Sequence, residues 1–78
     1  MELLSIGGPH TLVQNTIYAL PARRCLLFVD TAGAALEQSN TDVMTADVNI
    51  TLVDGQKEVA GGFIRSTAAN CIVILRPL

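Results

Sequence analysis

Charge is scarce in this chain. Five Lys and Arg and seven Asp and Glu make up 15% of its 78 residues, against about 25% in an ordinary soluble domain. The net charge is −2 and the pI is near 5.0. Arg23-Arg24 is the only basic pair, so no basic stripe exists to follow a phosphate backbone. Aromatics are equally few: Trp is absent, and Tyr18, Phe28 and Phe63 do not make a base-stacking platform. Nucleic acid is disfavoured as a partner on both counts. The single histidine, His10, and the distant cysteines Cys25 and Cys71 offer neither a C-x-x-C nor an H-x-x-x-H spacing, so no metal is expected. No apolar run reaches 18 residues, and no membrane-spanning segment is expected. The opening Met-Glu-Leu-Leu-Ser-Ile is too short, and lacks the charged n-region, for a secretory signal.

Apolar residues are abundant by contrast. They make up 50% of the chain, with a mean hydropathy of +0.45. A folded domain of 8.3 kDa keeps roughly 4,600 Å² exposed and buries only about 60% of its unfolded surface. Some apolar surface is therefore expected to face outward on the monomer, and such surface marks interaction sites. Small domains add disulfides, metal or oligomerisation to a marginal core. Cys25 and Cys71 both sit inside apolar runs and read as buried free thiols, with a single Cys25–Cys71 disulfide as the weaker alternative. With so much apolar surface to cover, the chain is expected to associate with copies of itself or a larger partner.

The order of residues predicts an all-β fold, a small antiparallel sandwich or barrel of six to eight short strands in one domain. Residues 1–10 read as a short N-terminal arm or edge strand and 11–78 as the β domain. Gly7-Gly8-Pro9 reads as a breaker. Thr11–Leu20 is rich in residues that fit a pleated surface, and Pro21 ends it. Arg24–Val29 and Cys71–Leu75 are continuous apolar runs, the pattern of strands buried on both faces. Ala34–Gln38 reads as a short strand, and 39–42 as a turn. Val48, Ile50 and Leu52 alternate with Asn49 and Thr51, and Asp54-Gly55 suits a two-residue hairpin turn. That hairpin would set Leu52 against Lys57, Ile50 against Val59 and Val48 against Gly61. Gly61-Gly62 predicts a bulge or a close backbone approach, and Phe63–Thr67 resumes as strand.

Chemistry is thinly represented. Asp30, Asp42, Asp47 and Asp54 are never two apart, so they lack the alternation of a calcium loop. Ser5, Ser39 and Ser66 have no G-x-S-x-G context, and thiols in apolar surroundings are inert. The glycine pairs fit neither phosphate-binding pattern. Asn49-Ile-Thr51 matches a glycosylation sequon but falls within a strand. No catalytic residue and no cofactor are expected. Phe63 and Arg65 fall on one face of their strand, and aromatics with Arg are enriched at interface anchors. Phe63, Ile64 and Arg65 are the interface candidates; a solvated Arg whose stem covers apolar surface is the competing reading.

Tyr18-Ala-Leu-Pro-Ala22, Ala35-Leu-Glu-Gln-Ser-Asn40 and Val59-Ala-Gly-Gly-Phe-Ile-Arg-Ser-Thr67 resemble segments of small all-β structural proteins of tailed bacteriophages, of the capsid-decoration (cement) or head-fibre type. The similarity spans roughly Tyr18 to Leu75. It implies a non-enzymatic subunit on the capsid surface of a virion, made in the host cytoplasm. The same resemblance implies a homo-oligomer, a trimer by preference, with the major capsid protein as its partner. It carries over no catalytic residue. Two rivals fit the same residues: a tail or fibre-base component, and a small cytosolic β-barrel that binds a ligand. The barrel would need inward polar groups, for which Asn15, Asn49 and Thr51 are the candidates.

Overall fold

The computed structural model describes residues 1–29, 36–44 and 55–78, together with the backbone of 48–49. Among these residues it holds nine strands and no helix. They are β1 (Glu2–Leu3), β2 (Gly7–Leu12), β3 (Ile17–Ala19), β4 (Arg24–Val29), β5 (Leu36–Ser39), β6 (Val48–Asn49), β7 (Gln56–Ala60), β8 (Phe63–Ser66) and β9 (Cys71–Pro77). The strands form a five-stranded sheet, order β1-β3-β8-β5-β6, and a four-stranded sheet, order β2-β9-β4-β7. The fold is an all-β sandwich, not a closed barrel. The count exceeds the expected six to eight because β1 and β6 have two residues each. Pairing is antiparallel except at the edge, where β1 runs parallel to β3.

Side-chain alternation builds the core. On β4, Cys25 and Leu27 are fully buried; on β9 so are Cys71, Val73 and Leu75. Tyr18 and Ile64 face them from the five-stranded sheet, with Leu4, Leu12, Leu20, Leu36 and Val59 completing one cluster. Full burial of a Leu or Ile stabilises by about 1.5–3 kcal/mol relative to exposure. The intervening residues Leu26, Phe28, Ile72 and Ile74 are half-buried and point outward. The expectation that β4 and β9 are covered on both faces is thus corrected. Both are central in their sheet, but no second layer covers their outer face among the described residues.

Two strand pairs turn a corner together. Ala19 lies opposite Phe63 in one sheet and Arg24 opposite Ala60 in the other. Between them Leu20 donates its N–H to the Gly62 carbonyl and Gly61 donates to the Pro21 carbonyl, each at 2.9 Å. Residues 17–29 and 56–66 therefore form one bent two-stranded ribbon that crosses from sheet to sheet, a recognised way of closing a sandwich. Gly62 lies at the close backbone approach expected of the Gly-Gly pair. A Cβ there would stand 3.1 Å from the Ser39 carbonyl oxygen.

Three local expectations are corrected. Gly7-Gly8-Pro9 opens β2 rather than breaking the chain, and a bulge between Gly7 and His10 absorbs the irregularity. Thr11–Leu20 is not one strand. A turn over Val13–Thr16 divides it, with Asn15 in the left-handed region and the Thr16 N–H donating to the Val13 carbonyl. Asn tolerates that conformation because its short polar side chain bonds locally. Tyr18, buried beneath, accepts the Val13 N–H on its hydroxyl at 2.9 Å. Finally, Val48 pairs with Gln38 of β5, and Gln56–Ala60 pairs with β4 in the opposite sheet. Val48 therefore does not face Gly61. The Leu52 and Ile50 pairings and Asp54 lie outside the described residues.

Candidate functional site

The Ser39 and Ser66 hydroxyls and the histidine make local hydrogen bonds within the fold. Ser66 is fully buried; its hydroxyl donates to the Ala68 carbonyl at 2.8 Å and accepts the Ala68 N–H. Ser39 accepts the Thr41 N–H. Both hydroxyls serve turns that leave their strands. His10 bonds through Nε2 to the Ser5 carbonyl, 2.9 Å away. Asn15 is exposed at its turn and points into no cavity. Among the described residues there is no pocket and no cluster of three or more His, Cys, Asp or Glu.

The cysteines are free and buried. Both lie on the inner face of the four-stranded sheet, but Cys25 is opposite Pro77, six residues along β9 from Cys71. At about 3.4 Å per residue the two are roughly 20 Å apart, far beyond disulfide reach. Burial pushes the Cys25 thiol pKa up, with Arg23 opposing weakly. Neither thiol is expected to react with Ellman's reagent in the folded protein, while two should react in denaturant. Prompt modification of one thiol under native conditions would contradict this packing.

The sequence-derived interface residues divide between two environments. Ile64 is fully buried and belongs to the core, so it offers no surface to a partner. Phe63 and Arg65 point outward and are half-buried. Register places Leu3, Ala19, Phe63 and Ser39 in one row across four neighbouring strands. The next row on that face is Ile17, Arg65 and Glu37. Leu3 is 63% exposed. The outer face of the five-stranded sheet thus carries an apolar strip, Leu3, Ala19, Phe63 and Ile17, beside an ion pair. Arg65 donates to one Glu37 oxygen from Nε at 3.0 Å and Nη2 at 2.8 Å. Their side chains are only 25% and 19% exposed, so the pair is already partly withdrawn from water. Opposite charges directly across an antiparallel pair are favourable, and the charge is neutralised within the face.

Sequence reading missed Leu3, Ile17 and Glu37 as neighbours of Phe63 and Arg65. Glu37 carries no local signal, because only the β5–β8 register brings it to Arg65. Leu3 arrives through the parallel β1–β3 pairing, which no hairpin pattern announces.

The outer face of the four-stranded sheet is the second apolar surface. Phe28 lies opposite Ile74, and Leu26 lies between Arg76 and Glu58. The Arg76 guanidinium sits 5.4 Å from the centre of the Phe28 ring, within cation–π range. At the same end Arg24 Nε meets Glu58 Oε1 at 2.6 Å. This hydrogen bond, reinforced by the charge of Arg24, holds the Glu58 carboxyl below the usual glutamate range. A lowered folded-state pKa means the contribution is present above the ordinary glutamate pKa and is lost as pH falls through the lowered value. Carbon-detected NMR titration should give Glu58 a lower midpoint in the parent protein than in Arg24→Ala. Identical midpoints would show the pair is not formed in solution, as happens with many exposed ion pairs.

The chain matches no protein-family model, no curated protein and no solved structure.

Proposed function

We propose that this protein is a non-enzymatic structural subunit of a virion, a decoration or cement protein that holds capsid subunits through the outer face of its five-stranded sheet. The observation that carries the reading is the Leu3–Ala19–Phe63 row with Ile17 beside it. This is an outward apolar strip on a sheet whose opposite face already fills the core. The neighbouring Arg65–Glu37 pair supports it. A charge pair satisfied within its own face can be covered without leaving either charge unpartnered, which is the costly outcome. The small size of the strip suits a lattice. A decoration subunit gains its hold from many repeated weak contacts, and multivalency multiplies them. Phe63 is the anchor of the strip, and Arg65 fixes its polar border.

The test is made on particles. Virions are purified from the genome that encodes the chain and from the same genome with the chain deleted. Both are heated in steps while DNA release is followed by dye fluorescence. The proposal expects the chain in the purified particle, earlier release without it, and recovery when purified protein is added back. Add-back of Phe63→Asp is expected to restore less. Particles that lack the chain, or that release DNA at the same temperature with and without it, refute the assignment.

A further inference from the structure

We infer that copies of this chain are joined by exchange of the segment Glu2–Ile6, so that β1 of one copy pairs with β3 of another and supplies Leu3 to that copy's outer strip. The fold contains both the site and what fills it. β1 adds to β3 as a parallel strand, with Glu2 opposite Tyr18 and Leu3 opposite Ala19. Leu4 then donates its N–H to the Ala19 carbonyl at 2.9 Å and is 1% exposed. Ile6 packs against the same core. An extended segment on a sheet edge, held by main-chain bonds and a buried side chain, is the arrangement of strand addition. The site is shaped to Glu-Leu-Leu-Ser-Ile, and a second copy carries that sequence unchanged.

The connection is what makes exchange possible. β1 is an edge of the five-stranded sheet and β2 an edge of the four-stranded sheet. Packed sheets lie about 10 Å apart. Leu4–Ile6 are the residues between the two strands, and three extended residues span about 10 Å. The crossing therefore has little slack. It arrives at Gly7 and Gly8, with φ of +119° and +126°, and the ladder is irregular between Gly7 and His10. A Cβ at Gly7 would meet nothing within 4 Å, so no neighbour dictates the direction in which the chain leaves. Glycine adopts positive and negative φ about equally well. A short, taut link at such a hinge invites exchange between copies.

Exchange loses no contact. Glu2–Ile6 precede the hinge, while His10, Ala19 and the core around Leu4 follow it. In the exchanged form each is met by the partner's copy of the segment through the same bonds, including that between His10 Nε2 and the Ser5 carbonyl. Removal without replacement would open the Leu4 site to water, so the segment stays docked, on its own copy or on another. This is why exchange is a low-cost route to association. Any closed ring satisfies it, and two copies are the smallest. Leu3, 63% exposed, moves with the segment, so the Leu3–Ala19–Phe63 row is completed in trans. The inference uses that row but not the shell reading, which can fail while exchange stands.

Two variants, Leu3→Cys and Ala19→Cys, are mixed in denaturant under reducing conditions, refolded together and then oxidised. Facing residues on neighbouring strands lie within disulfide distance, and Cys25 and Cys71 are buried. A bond between the two variants reports the segment of one chain on β3 of the other. Isotope labelling of one variant identifies the heterodimer by mass. The mixture is expected to give at least about tenfold more heterodimer than Leu3→Cys mixed with Val43→Cys, because docking raises the local thiol concentration. Val43 is exposed in the loop after β5. A second readout needs no variant. Wild-type protein, half labelled and refolded as a mixture, is expected to show isotope-edited NMR contacts between residues 2–4 of one chain and 18–20 of another. Light scattering should then give at least twice the 8.3 kDa chain mass. Heterodimer no more abundant than in the control mixture overturns the inference. So do contacts confined within single chains, or a wild-type monomer at every concentration. Chain presence in virions and its effect on heat release are read separately, so either proposal can fail alone.

Discussion

Ile64→Ala is expected to destabilise the fold by about 2–5 kcal/mol, the range for removing a fully buried branched side chain. Ile64 occupies β8, the middle strand of the five-stranded sheet, opposite Tyr18 on one side and Gln38 on the other. It is 0% exposed, and the filled interlayer around it leaves little room to collapse. A 78-residue domain has roughly 4–12 kcal/mol of total stability at ordinary values per residue. The substitution therefore removes a large share of it. Urea denaturation followed by circular dichroism should show the midpoint falling by about 2 M or more for a chain of this size.

Phe63→Ala is the informative comparison. Phe63 is adjacent in sequence, larger, and on the outer face. Its loss is expected to cost less than half as much stability, and, if the proposed capsid role holds, to weaken attachment to the particle. The two neighbours thus separate folding from binding. Equal destabilisation by both variants would mean Phe63 is packed as a core residue, and the apolar strip would lose its anchor.

The strand class and much of the strand placement were readable because alternation and breaker residues act locally. Gln56–Ala60 and Phe63–Ser66 follow directly from that pattern, and the close approach at Gly61-Gly62 follows from the absence of side chains. Pairing partners were not readable in the same way. Asp54-Gly55 is a good local hairpin signal, yet Gln56–Ala60 joins β4 and Val48–Asn49 joins β5. The choice of sheet depends on which apolar face a strand must bury against distant strands, and that is tertiary information. The uninterrupted apolar runs of β4 and β9 misled for a related reason. A run such as Arg-Cys-Leu-Leu-Phe-Val predicts two covered faces within one chain. Here Cys25 and Leu27 satisfy the core, while Leu26 and Phe28 remain on the surface. Core-facing and outward-facing apolar residues look alike in an uninterrupted run, because the run itself does not say which face another layer covers.

Gly62→Ala is expected to be much more harmful than Gly55→Ala, although both glycines have the same backbone conformation. Their φ angles are +84° and +77°, and a Cβ in the left-handed region costs about 1–2 kcal/mol at either position. The surroundings differ. A Cβ at Gly55 meets nothing within 4 Å, whereas one at Gly62 stands 3.1 Å from the Ser39 carbonyl oxygen. That oxygen belongs to the backbone of β5, which is paired with β8 at Ser39–Phe63, so it cannot swing aside like a side-chain tip. Gly62 cannot easily retreat either. Its carbonyl accepts the Leu20 N–H, and the neighbouring Gly61 N–H is held by Pro21. Relief must come from opening the corner where the ribbon changes sheet. The loss at Gly62 is expected to be about twice that at Gly55, on the order of 2–4 kcal/mol, within the range of strained backbone sites with added clash. Urea midpoints at matched slopes measure the difference, since both variants add the same methyl to the same φ region. Equal losses would mean that the corner yields without cost and that the β5–β8 register does not depend on it. A selective loss at Gly62 would tie the outward placement of Phe63, the next residue in the chain, to the corner that positions its strand.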